Sequence, residues 1–429
     1  MKHSVLKYAG KNNALIVGLV HLLPFMQHRK ILIVTNRIPY PLNDGGNIAV
    51  HAMIEGYHKA GIEVFLFSMN TSRHYVPIEE LPSLFQVIRV DTFDIDTDIK
   101  IVPSLKNFLL SKQPQQADRF FDKAFEKKLL AAIDSFEPDI IQLESIYLSV
   151  YIPAIRQQSP AIIASRLHNI EYQIWERLAT VTTNTFKRFY LKDLSARIKR
   201  FESQAWKQAD LLIAITEADA TIIKEASITT LIHVAPLGIN NDKIVYNLAQ
   251  ERWVGYHIGA MDWLPNAEAI SWFLENVWKE IHKALPDFEF HFAGRNMPAS
   301  FKKFEGDGVL CAGEVVDAKT FIADKKILLV PLQAGSGIRV KVMEAIAAEK
   351  LVISTSVGVQ GIIGLQPNHH FLLAETPTDF VTQLQIVFEN LERAEKIAKD
   401  GAAFIKENFC QNSITQDLLQ ALNKISSKR

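Results

Sequence analysis

Short, mainly apolar runs recur along this chain and limit what it can fold into. Ile31–Val34 (ILIV), Ile62–Phe67 (IEVFLF), Ile140–Leu143, Ala161–Ala164 and Leu211–Ile215 are of this kind. A strand with one face in water alternates apolar and polar residues, whereas a continuous run needs cover on both faces, as in a parallel sheet flanked by helices. Between the runs lie helical patterns: one from near Asn47 to Gly61, and one over Phe120–Phe136 that puts Phe121, Phe125, Leu129, Ala132 and Phe136 on a single face. Residues 71–115 are rich in proline and define no clear elements. The alternation of strand and helix predicts a doubly wound α/β sheet.

The pattern then restarts. After a turn at Leu237–Asn240 and a polar, aperiodic linker over Asn241–Glu251, runs at Tyr256–Gly259, Phe288–Ala293, Val309–Ala312, Ile327–Pro331, Leu351–Ser354 and Phe371–Ala374 predict a second sheet of six strands. From about Asp379 the chain reads as helix to its end. At 429 residues the chain is too long for one ordinary core, which agrees with two domains. Lys plus Arg and Asp plus Glu number 47 each, so no global field draws the protein to nucleic acid and any anion site must be local. Cys311 and Cys410 have no partner at metal-ligand spacing and read as free thiols in a reducing, cytoplasmic compartment, with no metal site.

Residues 1–29 form an N-terminal extension. Its apolar stretch, Ala14–Met26, follows Lys2, Lys7 and Lys11, and is shorter than the roughly 20 residues a membrane span requires. Two readings stand: a peripheral, membrane-touching anchor, or an over-extended reading frame whose natural start is Met26.

Three stretches carry candidate chemistry. In ILLVPLQAGSGIRVKVME (Ile327–Glu344) a strand ends at Pro331, Gly335-Ser336-Gly337 forms a flexible turn, and Arg339, Lys341 and Glu344 fall on the first turns of a helix. Unpartnered N–H groups and the helix dipole favour an anion there, and glycine lets a phosphate come close. Glu344 could accept hydrogen bonds from a ribose diol. The alternative is a buried strand followed by an amphipathic helix with solvated charges. His168 follows a strand directly, where open α/β sheets bind ligands, or else is a structural histidine bonded to a loop carbonyl. Residues 184–208 read as one long helix in which Lys187, Arg188, Lys192 and Arg197 interleave with Phe186, Phe189 and Tyr190. That suits an anionic membrane surface, or else a solvated face packed on its aromatic side.

Taken together, PYPLNDGGN, ADLLIAITEADA, APLGIN, IGAMDWLPNAEAI and PLQAGSGIRVKVMEAIAAEKLVISTSVGVQGI resemble the family-4 glycosyltransferases, in the bacterial branch with MDWxPN and GxGxRxKxxEA motifs. The resemblance runs from Lys30 to about Phe409 and keeps the family's order. It implies the GT-B fold: an acceptor-side Rossmann-like domain over 30–243, a nucleotide-sugar domain over 250–405 facing it across a cleft, and a C-terminal helix over 406–429 crossing back. It also implies retention of anomeric configuration with no cofactor and no obligatory metal. Carried onto this chain, the Gly45-Gly46 loop approaches the donor phosphates or reacting sugar, and His168 lies near the sugar hydroxyls. Glu344 binds the nucleotide ribose, while Arg339 and Lys341, with the amides of Ser336 and Gly337, contact the diphosphate. Ser336 stands where the family has a second glutamate. Met261-Asp262-Trp263 replaces the usual basic residues, leaving Asp262 and Asn266 as substitutes.

The partners implied are a nucleotide-sugar donor and a glycan or lipid-linked acceptor in surface polysaccharide synthesis, with peripheral contact at the inner membrane. Two alternatives share this architecture: a nucleotide-sugar epimerase and a non-catalytic nucleotide-sugar binding module.

Overall fold

A computed structural model describes residues 29–42, 45–97, 114–182, 184–226, 228–240, 251–334 and 338–427. The chain forms two compact units, Met1–Pro236 with Asn412–Arg429, and Leu237–Gln411. The division falls at the Leu237 turn, ahead of the polar stretch that reads as a linker in sequence.

Unit 1 is built on seven parallel strands: β1 (Lys30–Thr35), β2 (Glu63–Thr71), β3 (Arg89–Ile95), β4 (Ile140–Leu143), β5 (Ile162–Leu167), β6 (Leu211–Ala214) and β7 (Leu231–Val234). Their order is β3-β2-β1-β4-β5-β6-β7. Successive side chains of β1 serve opposite cores. Ile31 and Ile33 join Val50, Met53, Ile54 and Tyr57 of helix α1 (Gly45–Lys59). Leu32 and Val34 join Phe125, Leu129 and Ile133 of α2 (Lys123–Phe136). Further along lie α3 (Glu171–Val181), α4 (Thr185–Trp206) and α5 (Glu217–Glu225), the last capped by Thr216 through the Asp219 amide at 3.0 Å.

The structure revises several sequence boundaries. α1 begins at Gly45 itself, so Gly45 and Gly46 form its first turn rather than the loop before it, and Asn43 and Asp44 lie outside the described residues. β5 runs on through Ser165, Arg166 and Leu167, all buried. α2 starts at Lys123 because Asp122 accepts from the Ala124 and Phe125 amides, each at 2.8 Å. Phe121 therefore precedes the helix, is 43% exposed and stacks on Tyr151. The strands missing from the sequence reading, β3 and β7, are the two sheet edges, half exposed and without a continuous apolar run.

Unit 2 repeats the plan with β8 (Arg252–Ile258), β9 (Phe290–Ala293), β10 (Val309–Gly313), β11 (Lys325–Val330), β12 (Leu351–Ser354) and β13 (Leu372–Leu373). The order is β10-β9-β8-β11-β12-β13, again all parallel. Its helices include α6 (Leu264–Asn276), α7 (Val340–Ala347), α8 (Pro377–Glu389) and α9 (Leu391–Asn408). Ile327 and Leu329 enter one core, Leu328 and Val330 the other. Glu251, at the edge of the predicted linker, is instead anchored: its carboxylate meets Lys326 at 2.9 Å and the buried Lys350, whose ammonium also donates to the Ile322 and Ala323 carbonyls. The final helix, α10 (Gln411–Ser426), sends Ile414, Leu418, Leu419, Leu422 and Ile425 into the unit 1 core that holds Ile31.

Where β8 and β9 end, their chains nearly touch. A Cβ on Gly294 would lie 1.8 Å from the Gly259 carbonyl oxygen, and one on Gly259 would lie 2.5 Å from Asn266 Nδ2. The first of these partners is backbone and cannot swing away. Gly294→Ala should therefore destabilise unit 2 by about 3 kcal/mol or more, read as a lowered denaturant midpoint. A change within experimental error would show that the two strand ends can separate freely.

Candidate functional site

In the first sheet the order of connection reverses between β1 and β4, which opens a crevice at their carboxyl ends. A cavity of about 520 Å³ lies there, its wall including Asn36, Arg37, Gly46, Glu144, His168 and Glu171. Glu144 is the first residue after β4 and His168 the first after β5, so the two adjacent parallel strands deliver them side by side.

Glu144 Oε2 lies 2.8 Å from His168 Nε2 and 3.4 Å from an Arg166 guanidinium nitrogen. Both charged groups of the latter pair are 1% exposed. Arg166 also donates to the Ala49 carbonyl at 3.1 Å, tying the start of α1 to β5. On the other side, Gln142 Nε2 donates to Glu144 Oε1, and Tyr57 donates its phenolic proton to Gln142 Oε1 at 2.6 Å. Burial by itself would raise the Glu144 pKa, but Arg166 and the bond from His168 outweigh it and hold the carboxyl below its ordinary range. The Tyr57 phenol is pushed far up, by burial first and by Glu144 second, and stays a donor.

An ionised carboxylate only accepts, so His168 Nε2 carries the proton that points at Glu144. Nδ1 is the ring atom left for a ligand, and it accepts when the imidazole is neutral. Sequence reasoning singled out His168 but not Glu144 or Arg166. The same strand-end rule could have found Glu144, since it follows the Ile140–Leu143 run directly.

At the cavity wall an acidic pair, Glu171 and Glu202, meets the start of α3. Glu202 of α4 accepts from the Glu171 and Tyr172 amides at 2.9 Å each, capping α3 from a neighbouring helix. Burial pushes Glu202 up to about 8 against the lowering effect of those two donors. Burial also raises Glu171, to which Tyr147 donates at 3.1 Å.

In unit 2 the order reverses between β8 and β11, and the glycine-cation stretch follows β11. Ser336 and Gly337 lie outside the described residues. Arg339 is the N-cap of α7, and its guanidinium sits 5.0 Å from the centre of the Trp263 ring, joining this helix start to the loop after β8. Burial lowers the Arg339 pKa. Lys341 Nζ and Glu344 Oε2 are 2.9 Å apart with side chains 51% and 33% exposed. Asp262 accepts from Asn296 at 3.1 Å and Arg295 at 3.5 Å, and Asn266 donates to the Ala260 carbonyl at 3.0 Å. Both brace the loops that end β8 and β9.

His257, buried in β8, donates from Nδ1 to the Leu329 carbonyl at 2.9 Å, and burial takes its pKa down to about 4. It is a neutral cross-strand link. Cys311 and Cys410 are free thiols.

Residues 43–243 match the model described as Glycosyltransferase Family 4, and residues 254–390 match Glycosyl transferases group 1. The chain is a glycosyltransferase. Its two matched segments follow one another along the GT-B type of α/β fold, one on each parallel sheet. A Klebsiella pneumoniae protein described as an uncharacterized 44.6 kDa protein in a cps region is 20% identical over 403 residues, which cover 91% of this glycosyltransferase and 99% of that protein. Sucrose-phosphate synthase from Thermosynechococcus elongatus superposes with a TM-score of 0.65 at 16% identity, covering 94% of this chain and all of that one. HepE of Anabaena, solved with UDP and glucose, gives 0.62 at 16% identity and covers 92% of this chain and all of its own. The matches favour neither the epimerase nor the non-catalytic binding module.

Two outcomes follow for unit 1. Glu144→Gln leaves Arg166 buried without its counter-charge and should lower stability by about 3 kcal/mol, with glycosyl transfer falling as well. Because the folded-state pKa of Glu144 is depressed, its contribution is present above the ordinary value of 4.5 and lost as pH falls through the folded value. Wild-type stability in acid should thus drop more steeply than that of the variant.

Glu202 has the opposite sign. Its raised pKa gives stability that is full below 4.5 and lost as pH climbs through about 8. Between pH 6 and 9 the melting temperature of wild type should fall and that of Glu202→Gln should fall less; equal drops would show that Glu202 is ionised throughout.

Proposed function

We propose that this glycosyltransferase moves a sugar from a nucleotide-diphosphate donor to a glycan or lipid-linked acceptor with retention of configuration, in the assembly of a surface polysaccharide. The observation that supports it is a chemically equipped switch point in each sheet: a charged His168–Glu144–Arg166 set in unit 1, and a cationic helix start in unit 2. The relatives lend weight to the donor and the setting, since HepE was solved with UDP and glucose and the Klebsiella pneumoniae relative is described as lying in a cps region. The free thiols agree with a reducing, cytoplasmic site of action.

In this reading the bond between the anomeric carbon and the diphosphate oxygen breaks as an acceptor hydroxyl oxygen bonds to the same carbon from the same face. The hydroxyl proton passes to the departing diphosphate. Negative charge grows on that diphosphate, where Arg339, Lys341 and the first amides of α7 stabilise it. His168 holds a sugar hydroxyl, oriented by Glu144.

The Lys341–Glu344 pair is a placeholder. A partly exposed pair of this kind contributes at most about 1 kcal/mol, and charge-assisted bonds to a nucleotide readily replace it. When Lys341 turns to the diphosphate, Glu344 is freed to accept from the ribose hydroxyls.

Transfer or donor hydrolysis across a panel of nucleotide sugars tests the assignment. Lys341→Ala and Glu344→Ala should each reduce kcat/KM by about tenfold or more, corresponding to at least ~1.4 kcal/mol. His168→Ala should lower kcat with a smaller effect on donor KM. Full activity in both unit 2 variants would remove the donor-site reading.

A further inference from the structure

Among the described residues no helix is long and apolar enough to cross a membrane. One surface nevertheless carries exposed apolar and cationic side chains together. α3 and α4 run antiparallel as a hairpin whose base is held firmly: Ser195 donates to the Tyr172 carbonyl at 3.0 Å, Glu202 caps α3, and the Lys199 ammonium lies 4.8 Å from the centre of the Tyr172 ring. The described residues on either side of the turn are tied down as well. Asn184 caps α4 through the Lys187 amide at 3.0 Å, and Arg188 Nε donates to the Thr182 carbonyl at 2.9 Å.

Near the tip the aromatic residues of α4 point outward. Phe186 is 89% exposed and Phe189 70%, and being three positions apart in α4 they share a face. Further down the hairpin toward its base, Ile174 and Leu178, one turn apart in α3, are each 41% exposed. Burying such side chains away from water is favourable, so an apolar surface that covered them would be held there.

The charge around them says which occupant. Residues 174–192 hold four cations, Arg177, Lys187, Arg188 and Lys192, against the single acid Glu176, in a chain whose net charge is zero. Aromatic residues interleaved with lysine and arginine suit the interface of an anionic bilayer, where rings enter the headgroup layer and the long cationic stems reach back to phosphate.

We propose that the tip of the α3–α4 hairpin docks this protein on an anionic lipid surface. Since α3 begins three residues after His168, docking brings the wall of the unit 1 cavity toward the bilayer and selects a lipid-linked acceptor. That last step rests on the glycosyl-transfer reading; vesicle binding does not.

The test is sedimentation of the full-length protein with vesicles of phosphatidylcholine alone and of phosphatidylcholine mixed with phosphatidylglycerol. Wild type should bind the anionic vesicles and release them as salt is raised. Phe186→Ser/Phe189→Ser, and separately Lys187→Glu/Lys192→Glu, should each weaken binding by at least ~10-fold. Melting temperature and donor hydrolysis in vesicle-free buffer should stay unchanged, which separates loss of docking from loss of fold or chemistry.

Vesicle binding retained by both variants would place the contact elsewhere in the chain and overturn the proposal. Equal binding to neutral vesicles, or no binding by wild type, would overturn it too. So would light scattering that shows a wild-type dimer split by the phenylalanine changes with no vesicle binding, since the occupant would then be a second copy.

Discussion

Cover on both faces of a parallel sheet is the constraint from which the rest follows. Ile31 and Ile33 cannot reach water because α1 lies over them, and Leu32 and Val34 cannot because α2 lies on the other side. With both faces taken, the sheet offers ligands only its ends. The carboxyl ends at the point where the winding reverses are the ends left open, and there unit 1 holds its cavity and unit 2 its cationic helix start.

The polar groups at the first of these ends form a chain that begins in the core. Tyr57, Gln142, Glu144 and His168 are linked in sequence, with Arg166 supplying the buried positive charge that keeps Glu144 ionised. A buried carboxylate is costly unless paired and hydrogen-bonded, and here every component that offsets the cost also fixes geometry. The imidazole thereby has Nε2 committed to Glu144, which leaves Nδ1, among the described residues, as the nitrogen for a ligand. Rigidity at this site thus comes from electrostatics and packing together, since Arg166 reaches Ala49 as well as Glu144.

Unit 2 handles its charge differently. Lys341 and Glu344 occupy each other on a partly exposed surface, a weak arrangement that a nucleotide could displace. The rigid parts lie around it: Gly294 against Gly259 at the strand ends, Asp262 and Asn266 bracing the adjacent loops, and Arg339 over Trp263. Stiff strand ends with an exchangeable ion pair suit a site that binds and releases a charged ligand.

Much of this was legible in the residues. Central strands such as Ile31–Val34 and Ile140–Leu143 betray themselves because burial on two faces leaves no polar alternation, and the two parallel sheets bear out the doubly wound pair. The edge strands β3 and β7 did not show, since an edge is half exposed and carries no such run. His168 could be read from its place after a strand. Glu144 as its partner could not, because adjacency of β4 and β5 is a property of strand order, which local sequence does not encode. The residues alone determined that there are two covered sheets, where their central strands lie, and which polar groups fall at strand ends. Tertiary structure alone decided which of those groups meet and that Phe186 and Phe189 face outward, because pairing and exposure depend on neighbours distant in the chain.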